Sequence, residues 1–167
     1  MTETASKGGL MEGRRGLIMG VANERSIAWS VASALAREGA QLAFTFQNEA
    51  ISKRVNPLAA SVGSDFTLEC DVANDANLDS VFVKIKQMWG HLDFVIHAIA
   101  YSDKNELKGR YADTTRENFL ETMDISCFSF TNVARRATPL MGNGGSLITL
   151  SYLGSVRTIP NYNVMGV

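Results

Sequence analysis

Apolar and polar positions fall into blocks that switch between two periods. Residues 16–21 (Gly-Leu-Ile-Met-Gly-Val) form a short apolar run, which predicts a buried strand. Residues 26–38 then place Ile27, Val31 and Leu35 at four-residue spacing, predicting a helix with these three on its inner face. Gly39 stops it, and residues 41–46 predict a second strand. A helix from about Glu49 to Ala60 leads through Gly63 to a third strand ending at Cys70–Asp71. The next helix has the clearest stripe: Leu78, Val81, Phe82, Ile85, Met88 and Trp89, with Asn74 or Asp75 as its N-cap. Gly90 ends it, and residues 93–99 predict a fourth buried strand.

Residues 101–115 are polar and predict a long loop, the kind of segment that carries function. A helix follows from Arg116 to Leu140, with a break expected near Ser126. The glycine-rich stretch 141–145 turns the chain into a fifth strand, 146–150, and Pro160 suits the first turn of a further helix. Strands separated by single helices require right-handed crossovers and a parallel sheet covered on both faces. The expected fold class is therefore α/β: a doubly wound, Rossmann-type parallel sheet flanked by helices. Because the sequence stops inside the last helix, the sheet is expected to be truncated before its last strands. The expected division is a flexible tail at 1–13 and a dinucleotide-binding domain at 14–167.

Composition narrows the function classes. The 167 residues are 46% hydrophobic and 20% charged, and the formal net charge is −1. That gives no basic surplus for nucleic acid or an anionic membrane. Charges interrupt every apolar run before it could span a bilayer, and the first residues lack an apolar signal core, so a cytoplasmic location is expected. Cys70 and Cys127 sit in apolar-rich segments and are expected to be buried reduced thiols.

The first strand–helix turn reads Gly20-Val-Ala-Asn-Glu-Arg-Ser26-Ile27-Ala28. Gly20 allows a sharp turn beside a ligand, and the free N–H groups at Ser26 and Ile27 suit an anion. The usual glycine triplet is absent, so on its own this turn is a weak dinucleotide signal beside an ordinary strand–helix turn. At the end of the second strand, Phe46-Gln47-Asn48 offers neutral amides and no immediate cation; Gln47 can bond a ribose hydroxyl but cannot compensate a 2′-phosphate, which favours NADH over NADPH. Asp71 could accept from an adenine amino group with Val72 against the ring, or could simply cap a turn. Near the end, Tyr152 and Tyr162 are candidate hydroxyl donors for an oxyanion. Tyr162 is expected at a helix start beside the fifth strand's end, with Gly166 one turn later on the same face leaving room for a ribose. A lone helical tyrosine is more often core than catalyst.

The segments Gly20…Ser26-Ile27-Ala28, Thr45-Phe46-Gln47-Asn48, Cys70-Asp71-Val72 and Ser151-Tyr152-Leu153-Gly154…Ile159-Pro160-Asn161-Tyr162-Asn163-Val164-Met165-Gly166 resemble the bacterial NADH-dependent enoyl-acyl carrier protein reductases. These are divergent short-chain dehydrogenase/reductases. The resemblance runs from Gly13 onward and implies reduction of the trans-2 double bond of an enoyl-acyl carrier protein by hydride transfer from NADH. It places the pyrophosphate side at Gly20, Ser26 and Ile27, and a ribose contact at Gln47. The adenine contacts fall at Asp71 and Val72, the nicotinamide side at Ile99 and an acyl-side position at Ser102. Tyr152 and Tyr162 become the active-site tyrosines, with the enoyl-acyl carrier protein as partner and a homotetramer as the assembly. Ala100 stands where the family often has glycine. The family's ribose-binding lysine falls just beyond Val167.

Two other readings compete. A ketoreductase of the same superfamily would carry a lysine at the position of Gly166, and a non-catalytic dinucleotide-binding module would keep the fold without the chemistry. His91 and His97 without a cysteine or carboxylate cluster at ligand spacing predict no metal site. Gly144-Gly145-Ser146 does not continue into a nucleophile elbow. Lys104, Lys108 and Arg110 read as a solvated surface that could also meet an acidic carrier protein.

Overall fold

The computed structural model describes residues 9–167. Five strands, β1 (Arg15–Met19), β2 (Gln41–Phe46), β3 (Thr67–Glu69), β4 (Phe94–His97) and β5 (Ser146–Thr149), form one parallel sheet in the order β3-β2-β1-β4-β5. The direction of strand addition reverses beside β1: β2 and β3 lie to one side, β4 and β5 to the other. In a doubly wound sheet the crevice at that reversal, beyond the strands' carboxyl ends, is where ligands bind.

Strand alternation sends neighbouring side chains to opposite faces. Ile18, Leu42, Phe44 and Ile96 pack with Ala28 and Ala32 of α1 (Ile27–Arg37) and with Val55 and Ala59 of α2 (Glu49–Ser61). Leu17, Met19, Ala43 and Val95 pack on the other face with Leu78, Val81 and Ile85 of α3 (Asp75–Trp89) and with Val133 and Ala137 of α5 (Ser129–Ala137). Both faces of β1, β2 and β4 are thus covered, as their near-continuous apolar runs require, whereas β5 at the sheet's edge stays largely exposed. Each fully buried large side chain is worth roughly 1.5–3 kcal/mol, so these two layers dominate the fold's stability.

Several elements depart from the sequence pattern in detail. Ile27 is 64% exposed, because α1 turns its small residues Ala28 and Ala32 to the sheet and approaches closely. Met88 is likewise exposed, while Trp89 meets Phe66 edge to face at 5.0 Å. The expected long helix is α4 (Arg116–Met123) joined to α5 by a π-helical turn, Asp124–Phe128, at the anticipated break. That turn leaves Cys127 exposed, unlike Cys70, whose thiol burial pushes up to about 12. The helix expected from Pro160 does not form. Asn161 and Asn163 have φ of 61° and 39°, left-handed values that no α-helix accommodates, and only a 3₁₀ turn, Asn163–Gly166, follows. Of the tail expected at 1–13, residues 1–8 lie outside the described residues. Residues 9–13 form a turn on the end of α1, where Met11 N donates to Glu38 O at 3.0 Å.

Candidate active site

The strand ends meet at the reversal point. Gly20, just past β1, has φ of 95°, and a Cβ there would collide with the carbonyl oxygen of Ala98, just past β4. Glycine is therefore required twice over, by conformation and by the approach of the two backbones. Ser26 shapes the turn between β1 and α1: its Oγ accepts from Ala22 N at 3.0 Å and Asn23 N at 3.1 Å. Contrary to the sequence expectation, the Ser26 amide is not free, since it closes the turn by donating to Asn23 O at 3.1 Å. The first helical bonds are donated by Trp29 and Ser30 to Ser26 O, so the amides left ahead of them at the helix start are those of Ile27 and Ala28. Ile27 contributes that amide, not an inward side chain.

A cleft of about 540 Å³ opens over the strand ends and is lined by Gly20, Gln47, Asp71, Val72 and Ile99, among others. Asn48, next to Gln47, caps α2, its Oδ1 accepting from Ile51 N at 3.2 Å. Asp71 does cap a turn, accepting from Ala73 N at 3.0 Å, and still lines the cleft. The two alternatives for Asp71 are compatible, since a carboxylate has acceptor sites to spare.

Ile99 and Ala100 also line a second recess of about 240 Å³, together with Tyr152, Thr122 and Met165. The recess continues the cleft toward the tyrosines. Tyr152 faces it directly. Tyr162 stands behind, meeting Tyr152 edge to face with ring centroids 5.5 Å apart, and lines a separate hollow with Tyr111, Gly154 and Asn163. Partial burial and the neighbouring Tyr162 push the Tyr152 phenol above its ordinary range, so it stays protonated at neutral pH. Gly166 lines the recess, and a Cβ there would make only ordinary contact, 3.4 Å from Gly154 O, whereas one at Gly154 would lie 3.1 Å from Gly166 Cα. The two glycines let the chain segments touch. Ser102 lines neither cavity. Its Oγ donates to Asn118 Oδ1 at 3.2 Å and lies 3.0 Å from Thr122 Oγ1, anchoring the loop after β4 to α4.

The sequence model of the enoyl-(acyl carrier protein) reductase family matches residues 20–167. The chain belongs to this family. It is 65% identical over 159 residues to enoyl-[acyl-carrier-protein] reductase [NADH] 2 of Rhizobium meliloti (strain 1021), covering 95% of this chain and 59% of that protein. The enoyl-(acyl-carrier-protein) reductase of Anaplasma phagocytophilum, solved in complex with NAD, superposes with a TM-score of 0.93 at 54% identity, over 95% of this chain and 61% of that one. The Bacillus cereus enoyl-acyl carrier protein reductase, solved with NADP+ and indole naphthyridinone, superposes with a TM-score of 0.93 at 44% identity, over 95% and 62%. The chain thus spans about three fifths of the length of these relatives.

Within this reductase-family chain, the sequence pattern did not single out Ala98, Tyr101 and Ile125, which join the cleft wall, or Asn118, which fastens Ser102. Ala98 could have been found from Gly20, since a glycine ending a buried strand implies a close backbone neighbour. Asn118 and Thr122, one turn apart on α4 and both buried, carry a weaker signal: two polar groups on the inward face.

Proposed function

We propose that this chain forms the nucleotide-binding and tyrosine-bearing part of a reductase that saturates the trans-2 double bond of enoyl-acyl carrier protein with NADH. The observation that carries this reading is continuity. The cleft over the strand ends runs through Ile99 and Ala100 into the recess faced by Tyr152, with Tyr162 against it. The donor set suits a dinucleotide: helix-start amides at Ile27 and Ala28 for the pyrophosphate, a neutral amide at Gln47 for a ribose, and Asp71 with Val72 for the adenine. NADH, when bound, supplies the hydride for the β-carbon of the thioester.

The chain's own residues have the remaining tasks. Ile99 and Ala100 join the cofactor cleft to the substrate recess and keep that passage apolar. Ser102 holds the loop that follows them. Negative charge develops on the thioester oxygen as the double bond is reduced, and a tyrosine hydroxyl stabilises it by donating a hydrogen bond and then a proton. Tyr162 has the donor role and Tyr152 the role of positioning the acyl group. The relatives' printed names support the substrate and the cofactor, and Gly166 at the ketoreductase lysine position disfavours that alternative.

The assembly we propose is a homotetramer in the cytoplasm. Among the described residues no helix is long and apolar enough to cross a membrane. The exposed Leu120 and Phe128, on α4 and the π-helical turn, offer apolar surface to a second copy. Oxidation of NADH by the intact enzyme, dependent on crotonyl thioester, tests the activity. Oxidation dependent instead on a β-ketoacyl thioester would favour the ketoreductase, and cofactor binding without turnover of either would favour the non-catalytic module.

A further inference from the structure

Asn163 follows Tyr162 directly and adopts φ of 39°, a conformation asparagine and glycine tolerate better than other residues. Its side chain reaches across to the long polar loop, where Nδ2 donates to Glu106 O at 2.9 Å and to Lys108 O at 3.2 Å. Both amide hydrogens are thereby committed to the backbone of that loop. The carboxylate of the same Glu106 accepts from Thr115 N at 2.9 Å and from Thr115 Oγ1 at 2.7 Å. Thr115 in turn caps α4 by accepting from Asn118 N at 3.2 Å. Asn118 Oδ1 accepts from Asp103 N at 2.9 Å and from Ser102 Oγ at 3.2 Å.

Each link joins the next without a gap, from the tyrosine segment to the loop leaving β4. We propose that Asn163 is a positioning residue, which sets Tyr162 against the substrate side of the site by clamping its segment to the loop through Glu106. The inference rests on the proposed role of Tyr162 as donor to the reacting thioester. Neither Asn163 nor Glu106 lines the cofactor cleft, so the clamp acts on the tyrosine and not on NADH. The left-handed turn at 163 aims the amide back toward the carbonyls of residues 106 and 108.

The test is the steady-state kinetics of the intact enzyme with an enoyl thioester, comparing Asn163→Gly, Asn163→Asp and Glu106→Ala. Glycine keeps φ of 39° accessible and removes both donors, and aspartate keeps the side chain's size while its carboxylate cannot donate at neutral pH. A misplacement of about an ångström at the reacting atoms can cost on the order of a hundredfold, so kcat should fall at least about tenfold in both Asn163 variants. KM for NADH should stay within about twofold, since a loss through global loosening would raise it as well. Glu106→Ala should lower kcat in the same direction, and the double variant with Asn163→Gly should lose less than the two single losses combined, because both cut one chain of contacts. An active enzyme whose kcat is unchanged in Asn163→Gly and Asn163→Asp, or whose kcat and NADH KM worsen together, overturns the clamp while leaving the activity standing. A wild-type enzyme without enoyl-dependent oxidation overturns the activity and the clamp together.

Discussion

His97 Nε2 lies 2.8 Å from Ser129 Oγ, and the serine's single hydrogen is already donated to Ile125 O at 2.6 Å. Ser129 must therefore accept from the imidazole, which makes Nε2 the protonated nitrogen. Nδ1 is then an acceptor, and Thr149 Oγ1, 3.1 Å away on β5, donates to it. One neutral tautomer thus ties β4, β5 and the start of α5 together, close to where Ile99 and Tyr152 enter the site.

Burial of His97 lowers its pKa below the ordinary histidine value, and this sets a pH dependence of stability. The unfolded chain takes up a proton as pH falls through about 6.5, whereas the folded chain resists it. The contribution is complete above that pH and is lost progressively below it, until the folded imidazole also titrates. Denaturation midpoints should fall between about pH 7.5 and about pH 5.5, and the fall should be shallower in His97→Gln, which retains one donor and one acceptor. His91 is present in both proteins and cancels from the comparison. An identical slope in the two would remove His97 from this account.

Gly20→Ala should damage both fold and cofactor site. The new Cβ meets the backbone oxygen of Ala98, which no side-chain movement can relieve, and alanine is strained at φ of 95°. Backbone strain of this kind costs about 1–3 kcal/mol, with the collision added to it. Urea denaturation and NADH titration by fluorescence should both show the loss, the latter by more than the stability change alone produces. Unaltered NADH affinity in a folded variant would detach Gly20 from the cofactor.

Gln47 leads to a preference between cofactors. It stands exposed at the end of β2 and lines the cleft, and its amide offers no charge to a 2′-phosphate. A charge-assisted contact is worth about 1.5–3 kcal/mol, so NADH should bind roughly tenfold to a hundredfold better than NADPH. Gln47→Arg should narrow the gap. Because the Bacillus cereus relative was solved with NADP+, the comparison in this chain carries information that family membership does not. Equal turnover with both cofactors would refute the preference.

The sheet and its helices were legible because their signals are local and repeated. Apolar runs marked the strands, the Leu78–Ile85 stripe marked α3, and Gly90 marked its left-handed end. The candidate cofactor positions Gly20, Gln47, Asp71, Val72 and Ile99 were legible because each lies just past the end of a strand, and parallel order gathers those strand ends on one edge. What escaped was set by tertiary contact. The orientation of α1 depends on how closely Ala28 and Ala32 approach the sheet, so four-residue spacing alone misplaced Ile27. Pro160 suited a helix start, but Asn161 and Asn163 take left-handed backbones and the Asn163 side chain commits its amide to two carbonyls of a distant loop. The side-chain partners of Ser102, Asn118 and Thr122, lie sixteen and twenty positions away on α4, a pairing that no local pattern announces.

The two tyrosines give the sharpest test of the chemistry. Tyr162→Phe removes the proposed donor to the developing oxyanion while retaining the ring that packs on Tyr152. A single oxyanion donor is worth about 3 kcal/mol, so kcat with an enoyl thioester should fall on the order of a hundredfold. Tyr152→Phe removes a hydroxyl from the recess wall and should act mainly on substrate positioning, raising KM with a smaller loss in kcat. NADH affinity should survive both changes, since neither ring lines the cleft that holds Gly20, Gln47 and Asp71. The rings touch, so the double variant should depart from the product of the single effects. Tyr152 nonetheless faces the recess more directly than Tyr162. The order of the two losses therefore decides the assignment: the larger kcat loss in Tyr162→Phe supports the donor role given to it, and the larger loss in Tyr152→Phe transfers that role to Tyr152.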